Sequence, residues 1–461
     1  MVFNSAFFLF IFLPVTFLLF LVLPWKKGKD ILLCAASLVF YAFGGLAQLP
    51  VLLFAAVWDW AFGVWMQRTQ TRRKLLCGIG IAGNLLLLCF YKYTTFLLAS
   101  FGWTDVIRWS VPLGISFFTF HGISYLADTC RAPESGAARF GKLLLYLAFF
   151  PRLLAGPIVR YHEAAEELDT HSLAAEDVSA GLRRFVRGLC KKLLISETVA
   201  AVVDAVFGAE VLTLGAGTAW LGAIAYCLQL YFDFSGYSDM AIGLGRLFGF
   251  HFPENFNYPY VSGTVSEFWR RWHITLNLWF KEYLYIPLGG SRCGKLRATL
   301  NRLTVFLCTG IWHGAGWTYI LWGLWHGVLV SAEGLLGKER LAKVRRHALG
   351  SILTHVCTLL AVVLGFVMFR ASTAVQGFGV LGRMFSFAPG SFSAGVTPAE
   401  WTALGAGIVF SLPVVPVLRR KLALGEKTVE ITGNVLAVLV LIVCILALAA
   451  GNFHPFIYQQ F

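Results

Sequence analysis

Long apolar runs separated by short polar connectors dominate this chain. The runs centre near 6–24, 31–45, 48–66, 75–90, 111–127, 143–158, 193–207, 216–232, 236–250, 303–312, 316–334, 350–369, 402–418 and 431–450. A membrane-crossing helix needs about 20 apolar residues, so the pattern predicts roughly eleven to thirteen membrane helices. The shorter runs predict one or two re-entrant or half-depth helices sheltered by protein. The expected fold class is an all-α polytopic membrane protein. One stretch, 160–187, is instead polar and amphipathic, and reads as a pair of surface helices rather than a separate domain. No internal repeat and no low-complexity tract interrupts the pattern, so 461 residues are expected to form a single membrane domain.

Composition agrees: 58% of residues are hydrophobic and 13% charged, against about 25% charged in soluble domains. The net charge of +14 is spread over connectors. Basic groups cluster at Lys26, Lys27 and Lys29, at Arg68–Lys74, at Arg131–Lys142, at Arg183–Lys192, across 270–302, at Lys338–Arg346 and at Arg419–Lys421. Positive residues favour the cytoplasmic side, which places these connectors there. Connectors near 43–48, 208–216 and 371–400 are poorer in positive charge and are assigned outside, with the N-terminus and the C-terminal NFHPFIYQQF. Headgroup attraction accounts for most of the basic groups. Nucleic-acid binding would need a soluble basic face, which the chain does not offer.

Ten cysteines are scattered singly without a CxxC pair, so neither a disulfide frame nor a zinc site is implied. The first apolar segment has no basic residues before it and WKKGKD after it. That order is expected of a retained span rather than a cleaved signal. No GxSxG, Walker loop or HExxH is present, so serine hydrolysis, nucleotide hydrolysis and zinc proteolysis lack support.

The chemistry concentrates between 226 and 330. GIWHGAGWTYILWGLWHG carries His313 beside Trp312, and His326 thirteen residues later. An ionisable group at membrane depth is costly and commonly does chemistry. The competing reading is a histidine that only hydrogen-bonds a neighbouring helix. Gly314 and Gly316 predict a break between the histidines, which makes His326 the weaker candidate. VSEFWRRWHITLNLWFKEYLYI reads as one helix with Trp269, His273 and Leu276 on a shared face. Its Arg270, Arg271 and Lys281 are candidates for gripping phosphate. LQLYFDFSGYSDMAIGLG puts Asp233 and Asp239 in apolar surroundings, where carboxylates are paired, hydrogen-bonded or protonated. They act either at a site or as ties between helix ends. FFPRLLAGPIVRY places Arg152 before a Gly-Pro break, as a re-entrant tip or a snorkelling cation. Asp59, in WDWAFGVW, reads as structural.

The segments YFDFSGYSDMAIGLG, PENFNYPY, FWRRWHITLN, YLYIPLGGSR and GIWHGAGWTYILWGLWHG resemble the membrane-bound O-acyltransferases, and within them the bacterial alginate O-acetyltransferase branch. MVFNSAFFLFIFLP, VPLGISFFTFHGISYLAD, FPRLLAGP and PFIYQQF extend the resemblance over nearly the whole chain. The resemblance implies a ring of tilted helices around a tunnel, with a catalytic core near 110–335 and further helices over 350–450. It also implies His313 as the catalytic histidine and His273 as the second active-site position, which is asparagine or aspartate in many eukaryotic members. Arg152 stands where close relatives often carry a neutral residue or histidine.

The function this implies is transfer of an acetyl group from cytoplasmic acetyl-CoA, a substrate rather than a bound cofactor, toward hydroxyls of an extracytoplasmic polysaccharide. A periplasmic partner of the SGNH type is implied in the relay, and the bacterial inner membrane as the location. Two other readings stay open: D-alanyl transfer to teichoic acid from a carrier protein, and a glycan transporter that uses its histidines and aspartates to relay protons.

Overall fold

The computed structural model describes residues 1–69, 71–103, 110–387, 389–390, 395–423, 425–451 and 456. The expectation for the C-terminal NFHPFIYQQF falls almost wholly outside them. The described residues form helices and connectors, with no strand element among them. Five helices are long and apolar enough to cross a membrane: Lys26–Arg68, Arg73–Ser100, Trp317–Leu336, Ala348–Arg370 and Glu426–Ala449. The pair Pro398–Phe410 and Val414–Lys421, bent by 60°, raises this to six. The chain is a multi-pass helical membrane protein.

Among the described residues, several of the predicted apolar runs combine or divide. The 31–45 and 48–66 runs join through a single tight turn at Leu46–Gln48. The 216–232 and 236–250 runs fuse into one helix, Ala216–Leu247, in which Asp233, Ser235, Ser238 and Asp239 are buried. The 143–158 run breaks into Phe140–Ala148 and a four-residue turn, Phe150–Leu153. The amphipathic stretch forms the expected helix pair, Tyr161–Thr170 and Ala175–Cys190.

The chain divides into two compact units, one of Met1–Phe185 with Tyr237–Pro253, the other of Val186–Gly236 with the residues from Glu254 onward. The first unit is built around Ile115–Arg131, a helix with nearly every side chain buried. Phenylalanines 8, 12, 40, 150 and 248 interlock nearby, with Phe12 edge-on to Phe150 at 5.4 Å and Phe150 edge-on to Phe248 at 5.7 Å. Such edge-to-face pairs add to the burial of the rings themselves. Two buried polar pairs are tied within the unit. Asn84 donates to Asp59 at 2.6 Å, and the Arg184 guanidinium holds Asp239 through Nε at 2.7 Å and Nη2 at 2.6 Å.

The second unit also matches its buried charges. A π-helical segment, Lys191–Ser196, carries Lys192 inward. Its ammonium lies 2.6 Å from Asp233 and 3.6 Å from Glu197, all three side chains buried. A buried pair of this kind is costly to break, because removing one partner strands the other charge. The Ala348–Arg370 helix is pinned to Trp317–Leu336 by the Trp325 indole donating to the Ala361 carbonyl at 2.8 Å.

Candidate active site

The second unit contains a helical hairpin, Gly294–His313 followed by Trp317–Leu336. The chain leaves the first helix at His313 because Gly314 and Gly316 are fully extended. The break expected between the two histidines is therefore real. The arms approach closely at Gly323, where an added Cβ would lie 2.5 Å from the Phe306 carbonyl oxygen and 3.1 Å from the Gly310 Cα. Only glycine lets backbones meet at that separation.

The fold-back brings the histidines near one another again through tryptophan. His313 is 4% exposed. Its ring lies 4.8 Å from Trp312, 5.0 Å from Trp322 at 90°, and 5.1 Å from Phe369 at 82°. Trp322 also faces His326 at 5.3 Å, and Trp312 faces His273 at 6.1 Å. The result is an alternating series of His273, Trp312, His313, Trp322 and His326. Aromatic rings hold each imidazole in place while adding no charge beside it.

His273 departs from the sequence expectation. The predicted continuous helix breaks there, giving Val265–Arg271 and Ile274–Phe280 with His273 between them at φ 44°, ψ 53°. Two asparagines explain the break. The Asn255 backbone oxygen accepts from Ile274 N–H at 2.9 Å, and its side-chain oxygen accepts from Thr275 Oγ1 at 2.9 Å and Thr275 N–H at 3.3 Å. The Asn277 amide donates to the carbonyls of Trp269, Trp272 and His273 at 2.6, 2.7 and 3.1 Å. Carbonyls that a continuing helix would satisfy are thus met by a side chain. The fully buried His273 ring places Nδ1 3.1 Å from the same Asn255 oxygen. An amide oxygen only accepts, so Nδ1 carries the proton in this bond.

His326 is fully buried, and its Nδ1 accepts from the Trp269 indole at 3.4 Å. This arrangement ties the hairpin to Val265–Arg271 and fits a positioning role. Arg271 is engaged by Glu267 at 3.1 Å and by the Asn257 carbonyl at 3.1 Å. Arg270 and Lys281 are exposed. Asp233 is paired with Lys192, as described. Asp239 and Arg152 belong to the first unit. There, Arg152 is buried, donates to the Tyr146 carbonyl at 2.6 Å, and lies over the Tyr146 and Phe252 rings at 4.6 and 5.6 Å. It does not snorkel.

Sequence reasoning missed Asn255, Asn277, Trp322 and Phe369. The two asparagines sit in quoted motifs, and a polar side chain beside a glycine-poor break was their available signal. Phe369 sits in an apolar run and has none.

Residues 131–340 match the family profile described as MBOAT, membrane-bound O-acyltransferase family. The chain is 36% identical to a probable alginate O-acetylase of Pseudomonas putida, over 100% of both chains. It is 40% identical to one from Pseudomonas aeruginosa, over 84% of this chain and 75% of that one. It is also 37% identical to a peptidoglycan O-acetyltransferase of Helicobacter pylori, over 83% of this chain and 80% of that one.

Proposed function

This chain belongs to the membrane-bound O-acyltransferase family, and from that premise we propose that it moves acetyl groups from acetyl-CoA toward hydroxyls of an extracytoplasmic polysaccharide. The acceptor is alginate-like or another cell-surface glycan, reached directly or through an SGNH-type partner. That it is an O-acyltransferase of the membrane follows from the family; the donor, the direction and the residue roles are our reading. In it, the basic connectors 270–302 and 338–346 face the cytoplasm, and the N-terminus lies outside the inner membrane.

The observation that carries this reading is His313 at the tip of a glycine-jointed hairpin, clamped by three aromatic rings, with His273 across Trp312. The uncharged His313 imidazole takes the proton of an acceptor hydroxyl as its oxygen attacks the thioester carbonyl carbon. The C–O bond forms, the C–S bond breaks, and the imidazolium returns the proton to the departing CoA sulfur. General-base catalysis of this kind contributes typically about 10²–10⁴-fold. His273 orients the acyl group from its fixed backbone position. The Gly-jointed connector next to His313 includes exposed Ala315, and exposed Trp317 opens the next helix, so accessible surface begins two residues along the chain from the imidazole.

The test is thiol release from acetyl-CoA by the purified protein in detergent, with alginate and peptidoglycan oligosaccharides as acceptors. His313→Ala should lower turnover at least a hundredfold while the melting transition persists. Near-normal turnover would remove His313 from the mechanism. Absence of thiol release by the unaltered protein, with glycan movement across vesicles instead, would favour a transporter.

A further inference from the structure

A groove of about 720 Å³ opens at the end of the hairpin away from His313. Arg270, Arg302, Arg345 and Arg346 all line it, drawn from three separate helices and the connector after Lys338–Arg345. Glu333 is the one carboxylate among its described lining residues, and it is already committed. Its two oxygens accept from the Val265 and Ser266 N–H groups at 2.6 and 2.8 Å, capping Val265–Arg271. Arg345 reaches Glu267 at 3.3 Å. Among the described residues, no carboxylate pairs with Arg270, Arg302 or Arg346. The Arg302 guanidinium lies against Gly334, and Arg345 against Gly263, so small residues leave these heads room at the wall.

A groove with this excess of guanidinium groups suits a ligand bearing several phosphate oxygens, which arginine meets bidentately. Its position adds a length. Arg302 and His313 share one helix and stand eleven residues apart, about 16 Å along the axis at 1.5 Å per residue. An extended pantetheine arm bridges a comparable distance between the phosphates of CoA and its sulfur. Arg270, three residues before His273, sets a second fixed spacing from groove to site.

We propose that this groove is a phosphate-binding subsite that grips the nucleotide end of the donor, with Arg302 and Arg346 as its principal contacts. The assignment rests on the acetyl-CoA reading above and sharpens it, because Arg271, already held by Glu267 and Asn257, has no part in it. The same chemistry would hold an anionic lipid headgroup, so the experiment separates the two.

Purified full-length protein is compared with Arg302→Ala, Arg346→Ala and the charge-keeping Arg302→Lys. Two quantities are read: kcat/KM for acetyl-CoA relative to acetyl-pantetheine, which lacks the nucleotide, and calorimetric binding of 3′,5′-ADP. Each alanine variant should lower the acetyl-CoA preference and weaken 3′,5′-ADP binding about tenfold, the scale of one hydrogen bond to a charged group. Arg302→Lys should fall between and guards against a folding defect. An unchanged preference and unchanged binding overturn the proposal. If the unaltered protein consumes neither donor, the transferase reading fails, yet 3′,5′-ADP binding that depends on Arg302 still upholds a phosphate site. In nanodiscs with and without phosphatidylglycerol, abolition of 3′,5′-ADP binding by that lipid alone would assign the groove to headgroups and overturn the donor role.

Discussion

His273, a proposed active-site residue, has an unusual backbone torsion, and the torsion constrains which side chains can stand there. A left-handed conformation costs most L-residues about 1–2 kcal/mol, whereas histidine, asparagine and aspartate are several-fold enriched in it. The family resemblance places those same three types at this position. The backbone, held by Asn255 and Asn277, thus accounts for a chemical alternation that otherwise looks arbitrary. His273→Asn should leave the melting temperature nearly unchanged while lowering turnover. His273→Val, β-branched and unable to bond, should destabilise by about 1–3 kcal/mol, read as a lower melting temperature in detergent. Equal stability of the two variants would refute the torsional argument. His313 and His273 were both legible as candidates, since a histidine in an apolar run is conspicuous. The torsion was not: Trp269, His273 and Leu276 have helical spacing, and the break depends on a side chain eighteen residues upstream.

At the scale of elements, the hairpin is the determining piece. Gly314 and Gly316 announced its turn, but nothing in the sequence announced that the return arm would place Trp322 between His313 and His326. That depends on how closely the arms pack, which is set at Gly323. Gly323→Ala should force the Phe306 and Gly310 backbone away, at a cost of about 1–3 kcal/mol for overpacking. Because His313 ends the same helix, turnover should fall as well. Gly405→Ala is the control: a Cβ there meets no atom within 4 Å, and the helix should gain up to about 1 kcal/mol. Thermal melting and thiol release, measured on both variants, check the contrast. Hydropathy alone did not show which apolar runs would merge, as in Ala216–Leu247, whose Asp233 and Asp239 are buried.

On the scale of the whole molecule, membrane residence and all-helical class were legible from composition and run length. The division into two compact units was not, because it follows no boundary along the chain. Units interrupted by one another are defined by contacts between distant segments, such as Arg184 with Asp239. Charge on the connectors supplied an expected orientation, and under the proposed function that orientation would put the arginine-lined groove on the side where a soluble thioester is available.

The interleaving constrains how the protein can be made. When the ribosome has delivered residue 185, the first unit still lacks Tyr237–Pro253, which carries Asp239. Roughly 70 further residues must be synthesised, a delay of several seconds at ordinary elongation rates. A chain truncated after residue 185 should therefore be degraded or aggregate in pulse-chase experiments, and one extended to 253 should persist. Equal lifetimes would mean that the early helices assemble without their late-arriving partner.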